Sequence, residues 1–304
     1  MNMITLDKAT VSGTASGTVG NDTNPFAGCV LVEPTVRVWS ARKLDRTATA
    51  AAANALHASK HSSGRFNKLL IESNKLKEVQ RHGGRIRTYC YDNALPWSGT
   101  GIRILPAARF MDFSVAISDL IAQFEQAVQE FLIEYPNEVR ASVNRLGDMF
   151  DVDDYPSPRA LSMKFGAHVS YMPVPDTTSD FRVNLPADKI REMQASLEDK
   201  LKDAAEAAKE DLVARLRKSL STMADKLDDV DATFRNSLFN NITEALQLGE
   251  DVGFLGDDSL KEVADKIKPL ASMNPDTVRN DSLVRAEASR AAREIANNMA
   301  GVFA

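Results

Sequence analysis

The chain has 304 residues, 43% of them hydrophobic and 26% charged, enough for one large core or two ordinary ones and unlike collagen or a wholly disordered protein. Its two cysteines, Cys29 and Cys90, can form at most one bridge, so the fold is expected to stand without covalent staples and in a reducing compartment. The net charge of -5 is uneven: residues 37–109 carry 14 basic against 4 acidic side chains, while 110–304 sum to -13, so either the halves attract each other or the basic part meets an anionic partner.

Residues 1–28 are rich in Thr, Ser, Gly and Asn and bury little, which predicts a flexible tail outside the fold. They lack the basic start and apolar core of a secretion signal, and no apolar run reaches the roughly 18 residues of a membrane span, so the expected location is the cytoplasm. Residues 29–40 are β-branched and partly alternating with Pro34 inside, the pattern of an edge strand or a bent one. "TATAAAANALHASKH" and "GRFNKLLIESNKLKEVQRHGG" then predict two helices, the second closed by Gly83 and Gly84. Residues 85–91 alternate like a strand, and a Pro/Gly-rich loop follows up to 106.

Between 110 and 135 the residues Phe113, Ile117, Leu120, Ile121, Phe124, Val128, Phe131, Leu132 and Tyr135 recur at three and four, which predicts an amphipathic helix ended by Pro136. A shorter helix is expected over 137–146, and Ser157 before Pro158 reads as an N-cap with proline at the first helical position. Residues 168–174 and 180–185 look extended, joined by "DTTS" as a turn.

The longest expected element is 186–248. Its apolar stripe runs from Ile190 through Leu197, Leu201, Leu212, Leu216, Leu220, Leu227 and Phe234 to Ile242 with a mean step of about 3.7, so it follows a straight helix and does not demand a left-handed supercoil. Unbroken, such a helix would be roughly 80–90 Å long. It would have to pack on the other helices as a hairpin or bundle, or pair with a second copy. Gly249, Gly253 and Gly256 end the pattern, and helices are expected over 258–271 and 276–300.

No nucleotide-binding loop, dinucleotide fingerprint or nucleophile elbow occurs. "SGTGIR" (98–103) has two glycines without the following Lys and Ser or Thr, and reads as a turn. His57 and His61 stand at i and i+4, with Cys29, His82 and Cys90 as further donors for a tetrahedral metal, yet no close Cys pair supports zinc. Asp151, Asp153 and Asp154 could hold Mg²⁺ against a phosphate, but they read as a solvated loop, and "DKLDDVD" (225–231) as an exposed helix face. The strongest candidate is the stretch in which Lys68, Lys75, Lys77, Arg81, Arg85, Arg87, Arg103 and Arg109 are interleaved with Phe66, Tyr89, Tyr91 and Trp97. That mixture neutralises phosphates and stacks unpaired bases, and it equally suits docking on an acidic surface.

In order and spacing, "VRVWSARKL" (36–44), "LPWSGTGIRILP" (95–106), "FLIEYP" (131–136) and "PVPDTTSDFRV" (173–183) resemble a family of phage and bacterial proteins encoded beside a MoxR-type AAA+ ATPase and a von Willebrand A-domain protein. Ala41 departs from the pattern, which would have glycine there. The resemblance implies a phage-encoded, non-enzymatic accessory partner of an ATPase system, and it brings no catalytic residues.

The sequence therefore predicts a mostly α protein with a small β-sheet (α+β) and a long helical hairpin or coiled-coil-like arm. The expected divisions are a tail over 1–28, an α+β domain over 29–185 with a basic N-terminal part, the arm over 186–248, and C-terminal helices over 249–304. The expected function is non-enzymatic interaction or scaffolding, in which Leu197, Leu201, Leu212, Leu216, Leu220, Leu227 and Phe234 contact a second copy or an AAA+ ATPase. The alternative is single-stranded nucleic-acid binding through Lys68, Lys75, Lys77, Arg81, Arg85, Arg87, Tyr89, Tyr91, Trp97 and Arg103. No catalytic residue, metal, cofactor or membrane contact is assigned.

Overall fold

The computed structural model describes residues 25–59, 64–97, 99, 101–176, 185–229 and 232–302. In chain order they form β1 (Cys29–Arg37), β2 (Arg42–Leu44), α1 (Arg46–Ala55), β3 (Asn67–Leu69), α2 (Asn74–Asn93), β4 (Leu95–Pro96), β5 (Arg103–Pro106), α3 (Phe110–Leu146), α4 (Pro158–Ser162), β6 (Gly166–Pro173), α5 (Ala187–Asp228), α6 (Ser237–Asp251), α7 (Asp258–Ala271), α8 (Pro275–Asn280) and α9 (Ser282–Val302). The architecture is mostly α with an antiparallel sheet of order β4-β5-β1-β6 and a small β2-β3 hairpin, as the sequence predicts.

The sheet lies between two helical layers because its side chains alternate. On one face Leu31, Leu95 and Ile104 share a core with α5 and the C-terminal helices. On the other, Val32 and Leu105 share a core with α2 and α3. β1 is an interior strand, not the expected edge. Pro34 is tolerated because β5 pairs only with Cys29 to Val32, so from Glu33 onward β1 has β6 alone beside it. The expected tail also ends sooner: Phe26 is 1% exposed, with its ring 5.5 Å from that of Trp97. Residues 1–24 and most of 180–185 lie outside the described residues.

Three expected boundaries are overridden by packing. α2, capped by Ser73 on the Lys75 amide, runs straight through Gly83 and Gly84, so 85–91 is helix and not strand. Its buried positions Leu76, Val79, Gly83, Ile86 and Cys90 keep the helical period. At Gly83 an added Cβ would stand 3.1 Å from methyls of both Val36 and Val38, so glycine lets α2 lie close on β1, whereas at Gly84 a Cβ would meet nothing within 4 Å. Gly84→Ala is therefore expected to stabilise the fold by about 0.5–1 kcal/mol through helix propensity. Gly83→Ala should lose that gain to the tight contact; urea midpoints of the two variants measure the difference.

α3 likewise continues through Pro136 and absorbs the expected separate helix over 137–146. An interior proline costs about 3 kcal/mol. Burial on both sides offsets it, with Phe124, Val128, Phe131 and Tyr135 before the proline and Ser142 and Leu146 after. The Tyr135 hydroxyl donates to the Pro156 carbonyl at 2.9 Å and the Ser142 hydroxyl to the Leu70 carbonyl at 2.7 Å. Ser157 caps α4 as expected, accepting from the Ala160 amide.

The expected rod over 186–248 is shorter than its pattern. α5 ends at Asp228 after about 63 Å. Arg285 of α9 ends it, donating to the carbonyls of Lys226, Leu227, Asp229 and Ala232 at 2.5–3.1 Å, a cation where the helix dipole is negative. α6 then folds back on α5, and α9 runs antiparallel to it: Arg285 meets Leu227, and the buried Ser289 hydroxyl donates to the Ala224 carbonyl. Leu212, Leu216 and Leu220 of the seam are fully buried in this bundle.

Candidate functional site

The interaction helix does not offer its leucines outward. Leu201, Leu212, Leu216, Leu220 and Leu227 are buried against the chain's own helices. Leu197 is half-buried, and Phe234 lies beyond the end of α5, holding the guanidiniums of Arg279 and Arg285 5.0 and 5.5 Å from its ring.

The basic stretch is divided. Arg103 is buried, donates to the Ala94 carbonyl at 2.7 Å, faces Asp211 and lies 4.3 Å from the Tyr91 ring, so it ties the end of α2 to β5 and α5. Tyr89 packs on Phe113 and Trp97 on Phe26. Lys75 pairs with Glu130 at 2.7 Å, and Arg87 donates to the Val36 carbonyl at 2.6 Å. Arg109 pairs with Asp251. What remains is a row on the outside of α2: Lys77 and Arg81, with no partner among the described residues, and Arg85, which donates to Gln123 at 2.9 Å.

Lys68 is the largest departure from its expected role. It is 8% exposed, with Nζ 2.5 Å from Asp154, 2.7 Å from the Met149 carbonyl and 3.7 Å from Asp45. Asp154 also accepts from Lys43, so the acidic loop of 151–154 is pinned to the β2-β3 hairpin instead of being free in solvent. The hydrogen bond to Asp154 holds the Lys68 ammonium above its usual range against the opposing effect of burial. For Asp154, burial works against ionisation, and the hydrogen bonds from Lys43 and Lys68 overcome it, so its pKa falls. An open cleft of about 910 Å³ over this cluster is lined by α1 and by Asp148, Met149 and Phe150.

The remaining candidates stay apart. Burial raises the thiols of Cys29 and Cys90 to about 11, and they face different cores. His57 lies past the end of α1 at a φ of 50°, and His61 is outside the described residues. Among the described residues no three His, Cys, Asp or Glu side chains converge on a metal-sized point, and no helix is long and apolar enough to cross a membrane. Within "SGTGIR" Ser98 and Thr100 lie outside the described residues; the Trp97 amide donates to the Ile102 carbonyl and Gly101 has a φ of 90°. Ala41 is buried at a φ of 53°, a backbone that glycine adopts more easily.

The sequence reading missed the outer side of α3. Met111, Val115, Ser118, Ala122, Gln126, Gln129, Ile133 and Pro136 are spaced by three and four, so they share one face, and all are exposed. Met111, Val115 and Ile133 are 70, 61 and 78% exposed. The row itself has no charged member over about 38 Å, and the exposed Asp119 and Glu125 flank it on either side. Its signal in the sequence is a second apolar period, opposite the buried one. α2 flanks it, antiparallel, through Lys75–Glu130 and Arg85–Gln123. Between the two helices runs a groove of about 450 Å³ lined by Arg81, Gly84, Arg85, Thr88, Tyr89 and Asp92 of α2 and by Leu120 of α3.

Comparison with family models, with curated proteins and with solved structures gives no match.

Proposed function

We propose that this chain is a non-enzymatic interaction or scaffold protein whose contact surface is the outside of the α2–α3 hairpin. The observation that carries this is the row on the outside of α3 in which Met111, Val115 and Ile133 stand exposed among the uncharged Ser118, Ala122, Gln126 and Gln129: exposed apolar anchors in a locally charge-poor row mark an interface core. The seam of α5 has its partners within the chain, so its role in this reading is to hold the platform rigid.

The face suits a different protein better than a second copy. A two-fold pairing with the α3 helices antiparallel would set the α2 flank of each copy against its own duplicate and bring the cations of α2 onto one another. An AAA+ ATPase of the phage or bacterial system suggested by the sequence resemblance is the partner class this reading names. Binding of single-stranded nucleic acid ranks second, because the cations persist on α2 while the rings are engaged within the fold: Tyr89 is half-buried on Phe113, Trp97 packs on Phe26 and Tyr91 lies against Arg103.

Val115→Gln/Ile133→Gln tests the reading without adding charge or touching the core. A protein retained from a lysate of the source cell by the wild type should be lost, or weakened at least about tenfold, with the variant. Identical capture by both, or none by either, removes the reading. Dimerisation of the wild type that the variant abolishes would assign the face to self-assembly instead.

A further inference from the structure

The two adjacent glycines of α2 separate into two roles. Gly83 is required by the close approach to Val36 and Val38. Gly84 has no such requirement: nothing lies within 4 Å of where its Cβ would be, yet a glycine within a helix costs about 1 kcal/mol relative to alanine. What Gly84 does is open the floor of the α2–α3 groove. Lining the same groove are Arg81, one turn before it and with no partner among the described residues, and Arg85, next to it in the chain and held by Gln123. Leu120 forms the apolar wall opposite.

We propose that this groove docks an acidic peptide segment of a partner protein. A carboxylate of the segment meets Arg81 and Arg85, and its backbone or a small side chain enters the notch at Gly84 against Leu120 and Tyr89. Charge selects this occupant. Guanidinium groups grip carboxylates through paired N–H donors, while Asp92 at the end of the groove and the exposed Asp112 and Asp119 on α3 oppose a continuous phosphate backbone and leave room for single carboxylates. The inference rests on the protein-binding reading above and adds the chemistry of the bound segment.

The test is fluorescence anisotropy with a short labelled peptide of Glu, Leu and Ala, beside a labelled oligothymidylate, at two salt concentrations. The peptide should bind the wild type and weaken as salt rises. Arg81→Glu/Arg85→Glu should weaken it at least about tenfold. Gly84→Leu fills the notch and replaces a helical glycine, so it should abolish binding while raising the melting temperature, an outcome that unfolding cannot mimic. Val115→Gln/Ile133→Gln should bind the peptide like the wild type. No peptide binding at low salt, or equal binding by the groove variants, overturns the inference even where the α3 variant still loses its partner. Tighter binding of the oligothymidylate, lost in the same groove variants, overturns it in favour of nucleic acid.

Discussion

Asp154→Ala is expected to lower stability by about 1.5–3 kcal/mol, because it removes the closest partner of Lys68, at 2.5 Å, and leaves the ammonium with the Met149 carbonyl and the more distant Asp45, at 3.7 Å, on the floor of an open cleft. Lys68→Met/Asp154→Leu removes both charges and should recover most of the loss, since a buried pair is often worth little against an apolar replacement of similar volume. Urea unfolding of the single and double variants gives the coupling energy directly. The pair also fixes the pH dependence. Asp154 has a lowered pKa in the folded state, so its contribution is present above the unfolded carboxylate value, near 3.8, and is lost as pH falls through the folded one. Lys68 is shifted upward, so its contribution is present below 10.5 and lost as pH rises through its folded value. Wild-type stability should therefore fall at both extremes, and the double variant should lack this part of both declines. Equal stability of Asp154→Ala and the wild type at neutral pH would show that the cluster is not a staple.

Legibility in the sequence depended on whether the deciding partner was near. The buried stripe of α3 and the seam of α5 are local periodicities; the first appears as read, as does the Ser157 cap, and the second does so as far as Leu227. The end of α5 was hidden because Arg285, which collects its last carbonyls, lies 58 residues beyond Leu227. Gly83 and Gly84 resembled a helix stop since the valines that require the first of them, Val36 at the end of β1 and Val38 just beyond it, lie far away in the chain. Lys68 looked like a surface cation for the same reason: its counter-ion comes from a loop far along the chain, and only folding brings the two together. The candidate site was half visible. Arg81 and Arg85 belong to the basic stretch that the sequence singles out, but the apolar neighbour of that row is the outer face of α3, which a search for one hydrophobic face per helix passes over.

Gly249→Ala should destabilise the protein by about 1–3 kcal/mol, against the sign of helix propensity. A Cβ on Gly249 would stand 2.5 and 2.8 Å from two ring carbons of Phe254 and 3.0 Å from a methyl of Leu212, so the ring would have to move. It has little freedom to do so. Phe254 and Leu255 both sit at left-handed φ, 47° and 53°, between Gly253 and Gly256 at 57° and 75°, a left-handed turn of four residues that costs roughly 1–2 kcal/mol at each non-glycine position. The turn is bracketed by two ion pairs, Asp251 with Arg109 and Asp257 with Lys209, so neither end can slide. Burial of the Phe254 ring between α5 and α6 is what holds the strained backbone, and Phe254→Ala should cost about 3–5 kcal/mol. In Gly249→Ala/Phe254→Ala the new methyl enters the space the ring vacates, so the double variant should lose clearly less than the sum of the singles. Strict additivity in chemical denaturation would mean that the ring and the glycine do not share a site, and the account of how the left-handed turn is held would fail with it.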